Sequence, residues 1–216
     1  QHSPEPAEAL AAALRDAEQQ RTTCTPLRQH AESLGWATTQ ENAYAVQRVN
    51  ETRRIAGGDR VTGRKIGLTA ASVRRQLGVD QPDYGALWNS TAFGDGAEIP
   101  LAAFIRPKVE AEVAIVLDKD VTAADATLAD LFAATAYAVP ALEIVDSRIA
   151  AWDIHLFDTI ADNASAAGYV LGSDPKRLDQ LSLRDAGMTL TEDGREVSEG
   201  RGSECMGHPL NAAVWL

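Results

Sequence analysis

The chain has 216 residues with 31 acidic against 20 basic side chains, a formal net charge of -11. This balance speaks against nucleic acid and anionic membrane as partners, because both reward lysine and arginine. Hydrophobic residues at 45% and charged residues at 24% exclude a wholly disordered chain, and no uninterrupted apolar run of about eighteen residues marks a membrane-spanning helix.

The first sixty residues read as helical. Ala7 to Arg21 is rich in alanine, leucine, glutamate and arginine, and Pro26 is expected to close that segment. A second helix is predicted from Thr38, which has capping-box spacing to Glu41, through Val49 to a stop at Gly57-Gly58. Residues 1–60 thus form an N-terminal helical segment, and 61–216 a β-rich domain that carries the chemistry. In that domain Val61 to Leu68 reads as a strand, Ala71 to Leu77 as a short helix, and Pro82-Asp83-Tyr84-Gly85 as a turn. Arg106 to Leu117 is the clearest strand. Thr127 to Ala138 suits a helix with Thr127 as N-cap, and Val139 to Val145 a further strand. Tyr169–Leu171 and Met188–Leu190 are later strands, the second turning at Asp193-Gly194 into Glu196-Val197. Helices ahead of a mostly β remainder predict an α+β fold. The run Asn211 to Leu216 has no cap or glycine stop and reads as a helix cut short. Cys24 and Cys205 are too few for a disulfide framework, and Gln1 to Leu14 lacks a secretory leader, so a reduced, cytoplasmic setting is expected.

The residue pattern points to one acidic site. Side chains two apart on a strand share a face, so Glu110 and Glu112 bring two carboxylates together. Beside the apolar run Val113 to Leu117 such a pair needs a cation between its charges, unless the strand edge faces water. Glu143 sits in Val139 to Val145, a run that otherwise reads as core, and a buried glutamate needs a partner. Three carboxylates on two adjacent strands make a hard oxygen site suited to Mg²⁺ or Mn²⁺. The four histidines are scattered and form no competing metal site. Lys65 lies in Gly63-Arg64-Lys65-Ile66-Gly67-Leu68-Thr69, where glycines allow close approach of a ligand, although a solvated lysine fits the local pattern equally. Asp162-Asn163-Ala164-Ser165 reads either as a ligand-facing turn or as a purely structural one. No serine stands in a nucleophile elbow.

Several of these motifs together resemble the 2-keto-4-pentenoate (2-hydroxypenta-2,4-dienoate) hydratases of the fumarylacetoacetate hydrolase superfamily. The resemblance runs in order through Gly63 to Thr69, Gln76 to Gly85, Pro107 to Glu112, Pro140 to Glu143, Asp158 to Ser165 and Gly200 to Asn211. It implies a mixed β-roll or sandwich behind the helices, with relatives continuing past residue 216, so the chain looks truncated at its C-terminus. It implies Glu110, Glu112 and Glu143 as ligands of Mg²⁺ or Mn²⁺, Lys65 and Asp83 as catalytic residues, and Asn163 and Ser165 as substrate-binding residues. The implied reaction adds water to a 2-hydroxydienoate, giving a 4-hydroxy-2-oxo acid in meta-cleavage degradation of aromatic compounds or sterols. A homo-oligomer of pentameric rings or a decamer is implied, with a pathway decarboxylase or aldolase as a partner. The rival reading is a 4-oxalocrotonate decarboxylase, a sister group that usually has an apolar residue where this chain has Asp83. An acylpyruvate C–C hydrolase lacks support, because no Glu-His pair is arranged for it. A non-catalytic partner subunit would be expected to have lost the glutamates and Lys65.

Overall fold

The computed structural model describes residues 5–216. Helix α1 (Pro6–Gln20) opens with proline at its first position, where the missing N–H costs nothing, and closes at Arg21 in the left-handed region. Its buried residues Leu10, Ala11, Leu14 and Ala17 form one stripe. Pro26 does not simply end the helical region: it precedes a second helix, α2 (Leu27–Ser33), because proline is tolerated at a helix start. Helix α3 (Gln40–Ala56) is capped by Thr39, whose hydroxyl accepts from the Asn42 N–H, one residue later than the Thr38 cap expected.

Strand β1 (Val61–Gly67) pairs antiparallel with β2 (Asp83–Trp88), and helix α4 (Ala71–Leu77) lies between them in the chain. The turn expected at Pro82 to Gly85 is therefore corrected: from Asp83 onward the residues are a strand. Its proline and glycine serve other ends, since Pro82 precedes the first ladder residue and Gly85 admits a neighbouring backbone.

A four-stranded sheet runs in the order β3 (Ala92–Phe93), β6 (Ala166–Leu171), β5 (Thr135–Val145), β4 (Lys108–Leu117), antiparallel except for the β3–β6 pair. Helix α5 (Leu128–Ala134) has the expected Thr127 cap, completed by Asp130 as a capping box. It stops at Ala134 rather than Ala138. Thr135 and Tyr137 instead extend β5 and pair with Leu117 and Val116, a ladder that β-branched and aromatic side chains favour. Helix α6 (Leu156–Ala161), which the sequence pattern did not reveal, follows. The hairpin β7 (Gly187–Glu192) and β8 (Arg195–Arg201) turns at Asp193 and Gly194, both with positive φ, as a two-residue turn of this kind requires. The final helix is α7 (Pro209–Trp215). No helix among the described residues is long and apolar enough to cross a membrane.

One apolar core joins Leu10, Leu14, Leu27, Ala43 and Val46 of α1 to α3 with Ile149 and with Phe157 and Ile160 of α6. Asp158, fully buried, fixes that junction. It accepts from the His155 N–H at the start of α6, from the Arg28 N–H in the first turn of α2, and from the Arg28 guanidinium at 2.6 Å. The helical front thereby holds α6 in place beside the strands that carry the site.

Candidate active site

Two registers build the site. On the four-stranded sheet, Glu110 of β4 stands directly across from Glu143 of β5, and Glu112 lies two residues further along the same face. Carboxylate oxygens of all three lie within 4.8 Å of one another. The exposed-edge alternative for these residues holds only for Glu110. Glu112 is partly buried and Glu143 is 5% exposed. On the two-stranded sheet, Lys65 of β1 is opposite Gly85 of β2, and Gly67 is opposite Asp83. Alternation places Lys65 and Asp83 diagonally on one face, each facing a glycine across the ladder.

The glycines are there for space. A Cβ on Gly67 would lie 2.3 Å from Asp83 Oδ1 and 3.3 Å from Lys65 Nζ, so the carboxylate and the ammonium flank the same bare backbone. A Cβ on Gly85 would lie 2.2 Å from the Asn163 carbonyl oxygen. Gly85 thus lets the turn after α6 seat directly on β2.

That turn is unusual. Asn163, Ala164 and Ser165 have φ of 56°, 52° and 57°, three successive non-glycine residues in the left-handed region, each costing roughly 1–2 kcal/mol. Surrounding bonds over-determine it, as such strain requires. The Asn163 amide accepts from the Ala86 N–H at 2.7 Å and donates to the Ala86 carbonyl at 3.0 Å. Lys65 Nζ donates to the Ala164 carbonyl at 2.9 Å, and the Asp146 N–H donates to that of Ser165 at 2.9 Å. Both ends of the Asn163 amide are engaged by β2, so this side chain shapes the turn. Ser165 differs: its hydroxyl is buried and has no hydrogen-bond partner among the described residues.

Electrostatics link the two sheets. Lys65 Nζ stands 3.2 Å from Glu143 Oε1, and among the described residues that buried oxygen has no well-aligned hydrogen-bond donor. Burial pulls the Lys65 ammonium down, but the charges of Glu143, Asp83 and Glu110 outweigh it and hold the pKa above its ordinary value. Burial and the neighbouring Glu143 push Glu112 up to about 7, against the opposing pull of Lys65. Burial likewise raises Glu143 and Asp83, with Lys65 opposing in both cases. One lysine does not neutralise three clustered glutamates and Asp83. An acidic cluster with an orphaned buried oxygen fits a divalent cation on oxygen donors.

Two clefts, of about 260 and 330 Å³, lie elsewhere, beside Arg54, Trp88 and Arg148, and none of the three glutamates lines them. Two of their arginines already have acidic partners, Arg54 with Asp59 and Arg148 with Asp162. Convergent charge marks the glutamate site.

No protein-family model matches the chain. A 2-keto-4-pentenoate hydratase of Paraburkholderia phymatum is 54% identical over 209 residues, covering 97% of this chain and 78% of that protein. Another of the same name, from Burkholderia vietnamiensis, is 55% identical over 207 residues, covering 96% of this chain and 78% of its own length. The chain belongs to the 2-keto-4-pentenoate hydratase family. Among solved structures, 4-oxalocrotonate decarboxylase from Pseudomonas putida G7, complexed with magnesium and adipate, superposes with a TM-score of 0.91 at 29% identity, covering 99% of this chain and 80% of that one. The α+β architecture is therefore that of the fumarylacetoacetate hydrolase type.

Within this hydratase-family chain the fold brings Lys65, Asp83, Glu110, Glu112, Glu143 and Ser165 to one region. Two contributors were not foreseen. Arg74 of α4 donates to the Leu68 and Thr69 carbonyls, both at 2.8 Å, and pins Leu68 at φ 59° just beyond Gly67. Thr159 donates its hydroxyl to Asp83 Oδ2 at 3.1 Å. Nothing in local sequence flags either, because each acts on residues that only the fold makes neighbours.

Proposed function

We propose that this protein is a divalent-metal-dependent hydro-lyase that adds water to 2-hydroxypenta-2,4-dienoate, or a close homologue, to give 4-hydroxy-2-oxopentanoate. The observation that carries this reading is the gathering of Glu110, Glu112 and Glu143 opposite Lys65 and Asp83, in a chain more than half identical to named hydratases. Glu110, Glu112 and Glu143 would hold Mg²⁺ or Mn²⁺. When bound, such a cation supplies Lewis-acid polarisation of a 2-oxo group and charge for the adjacent carboxylate.

The chain's own groups account for the remaining needs. In the dienol a proton must reach C5 to give the enone, water must then add at C4, and a proton must reach C3. Asp83, buried and raised above the usual carboxylate range, suits a group that exchanges protons with the substrate. Lys65 stays cationic and places its ammonium where negative charge develops on the 2-oxygen. The Ser165 hydroxyl, free of partners, offers a hydrogen bond to the substrate's carboxylate. Asn163 supports binding by holding the turn that presents Ser165.

A second reading, 4-oxalocrotonate decarboxylase, is favoured by the structural likeness to that enzyme. The lower identity, 29% against 54%, ranks it second. Incubating the protein and Mg²⁺ with each substrate in turn decides between them. Loss of the dienoate with formation of the 4-hydroxy-2-oxo acid supports the hydratase, and carbon dioxide release from oxalocrotonate with an inert dienoate overturns it. Assembly into pentameric rings or a decamer, association with a pathway decarboxylase or aldolase, and a cytoplasmic location belong to the same proposal. The two free cysteines are in keeping with a reducing compartment.

A further inference from the structure

The Asp83 carboxylate is held by a residue of the neighbouring helix α6. Its Oδ2 accepts from the Thr159 hydroxyl at 3.1 Å, while Oδ1 lies against the bare backbone of Gly67, on the side where Lys65 Nζ also approaches. Asp83 is 2% exposed and Thr159 7%, so the contact is shielded from bulk solvent. The two residues sit on different elements, β2 and α6, which need a fixed separation for the bond to form. Gln47 of α3, 3% exposed, supplies that tie: its amide nitrogen donates at 2.9 Å to the carbonyl of Tyr84, next to Asp83, and at 2.9 Å to that of Ile160, next to Thr159. One amide uses both its hydrogens on the immediate neighbours of the hydrogen-bonded pair.

We propose that Thr159 is a positioning residue for Asp83, that Gln47 sets the spacing between them, and that together they keep Oδ1 facing the Lys65 side of the site. The inference rests on the reading of Asp83 as the proton-transfer group. Without the Thr159 bond the carboxylate can rotate about its Cβ–Cγ axis, and a carboxylate turned away from the substrate transfers protons poorly even though substrate still binds. The helical front of the chain then has a part in catalysis, because α3 holds the spacing on which Asp83 depends.

The test uses Thr159→Val, which keeps shape and loses the donor, and Thr159→Ser, which keeps the donor. Thr159→Val is expected to lower kcat by on the order of tenfold or more, the scale of a charge-assisted hydrogen bond or of acid–base assistance. KM and Mg²⁺ affinity are expected to stay within about twofold on the same grounds, and Thr159→Ser is expected to recover most of the rate. A crystal structure of Thr159→Val reads the orientation of Asp83 directly, whether or not the dienoate is the substrate. A carboxylate found rotated supports the inference; one found as in the parent, with kcat unchanged, overturns it. Equal losses in kcat, Mg²⁺ affinity and melting temperature also overturn it, since they report a structural role alone. An inactive parent with a rotated Asp83 in Thr159→Val would refute the hydratase reading and leave the positioning inference standing.

Discussion

Lys65 faces Glu143 across the gap between two sheets, 3.2 Å apart, and the oxygen it meets has no well-aligned hydrogen-bond donor among the described residues. The lysine compensates charge without closing the coordination of that oxygen. Replacing it separates two of its effects. Lys65→Met is expected to reduce turnover by on the order of 100-fold, the scale of losing a preorganised charge in a site of this type. It should also bind Mg²⁺ at least as tightly as the parent, because a cation has left the neighbourhood of the glutamates. Calorimetric Mg²⁺ titration alongside steady-state kinetics checks both signs. Equal loss of metal affinity and rate would contradict this role for Lys65.

Glu112 gives the opposite separation. Burial and Glu143 push its carboxyl up to about 7, so its charge is a cost in the metal-free protein. Glu112→Gln should therefore melt at the same or a higher temperature than the parent in EDTA. Its gain in melting temperature on adding Mn²⁺ should be small, since stabilisation by a ligand follows from its binding. Melting curves of both proteins, with and without metal, give the answer. A variant less stable in EDTA yet still strongly stabilised by Mn²⁺ would refute the assignment.

Two glycines of the same sheet pair make a controlled comparison. At Gly85 a methyl group would meet the Asn163 carbonyl at 2.2 Å, whereas at Gly63 the nearest atom is a flexible Leu87 methyl at 3.8 Å. Gly85→Ala is expected to cost about 1–3 kcal/mol, as overpacking does, and to lower activity by displacing the turn that carries Ser165. Gly63→Ala should leave activity unchanged. Urea unfolding and turnover of the two variants test the contrast.

Asp59 predicts the acid limb of stability. Burial raises its carboxyl, but hydrogen bonds from Ser90, Arg54 and Arg60 outweigh this and hold it well below the usual range. A depressed folded pKa means that its stabilisation is fully present above the unfolded value near 4 and is lost as pH falls toward the folded value. Between about pH 5 and pH 3 the parent should lose stability more steeply than Asp59→Asn. Urea midpoints at pH 7, 5 and 3 measure the slopes, and parallel slopes would rule the effect out.

How much of this could be read from the sequence follows from the range of the forces involved. Glu110 and Glu112 were legible as a pair because strand periodicity is local, and Glu143 because a carboxylate in an apolar run needs a partner. The short helices α2 and α6 were not. They are held by tertiary contacts, the apolar core they share and Asp158 reaching Arg28 across 130 residues, which no local window contains. Pro82 to Gly85 carries turn-forming residues, yet Gly85 exists to admit Asn163, a neighbour that no local window contains. Asn163 and Ser165 looked alike in the sequence. Only the fold, which spends the Asn163 amide on Ala86 and leaves the Ser165 hydroxyl free, tells them apart.

The central claim is that three glutamates gather a divalent cation to hydrate a 2-hydroxydienoate. Its most direct test follows the ultraviolet absorbance of 2-hydroxypenta-2,4-dienoate with the purified protein and Mg²⁺, then with EDTA, then with Mn²⁺ restored. The account predicts loss of the dienoate to 4-hydroxy-2-oxopentanoate with metal, none with EDTA, recovery with Mn²⁺, and no turnover by Glu112→Gln under any of the three conditions. Undiminished hydration in EDTA, or by Glu112→Gln, would contradict it.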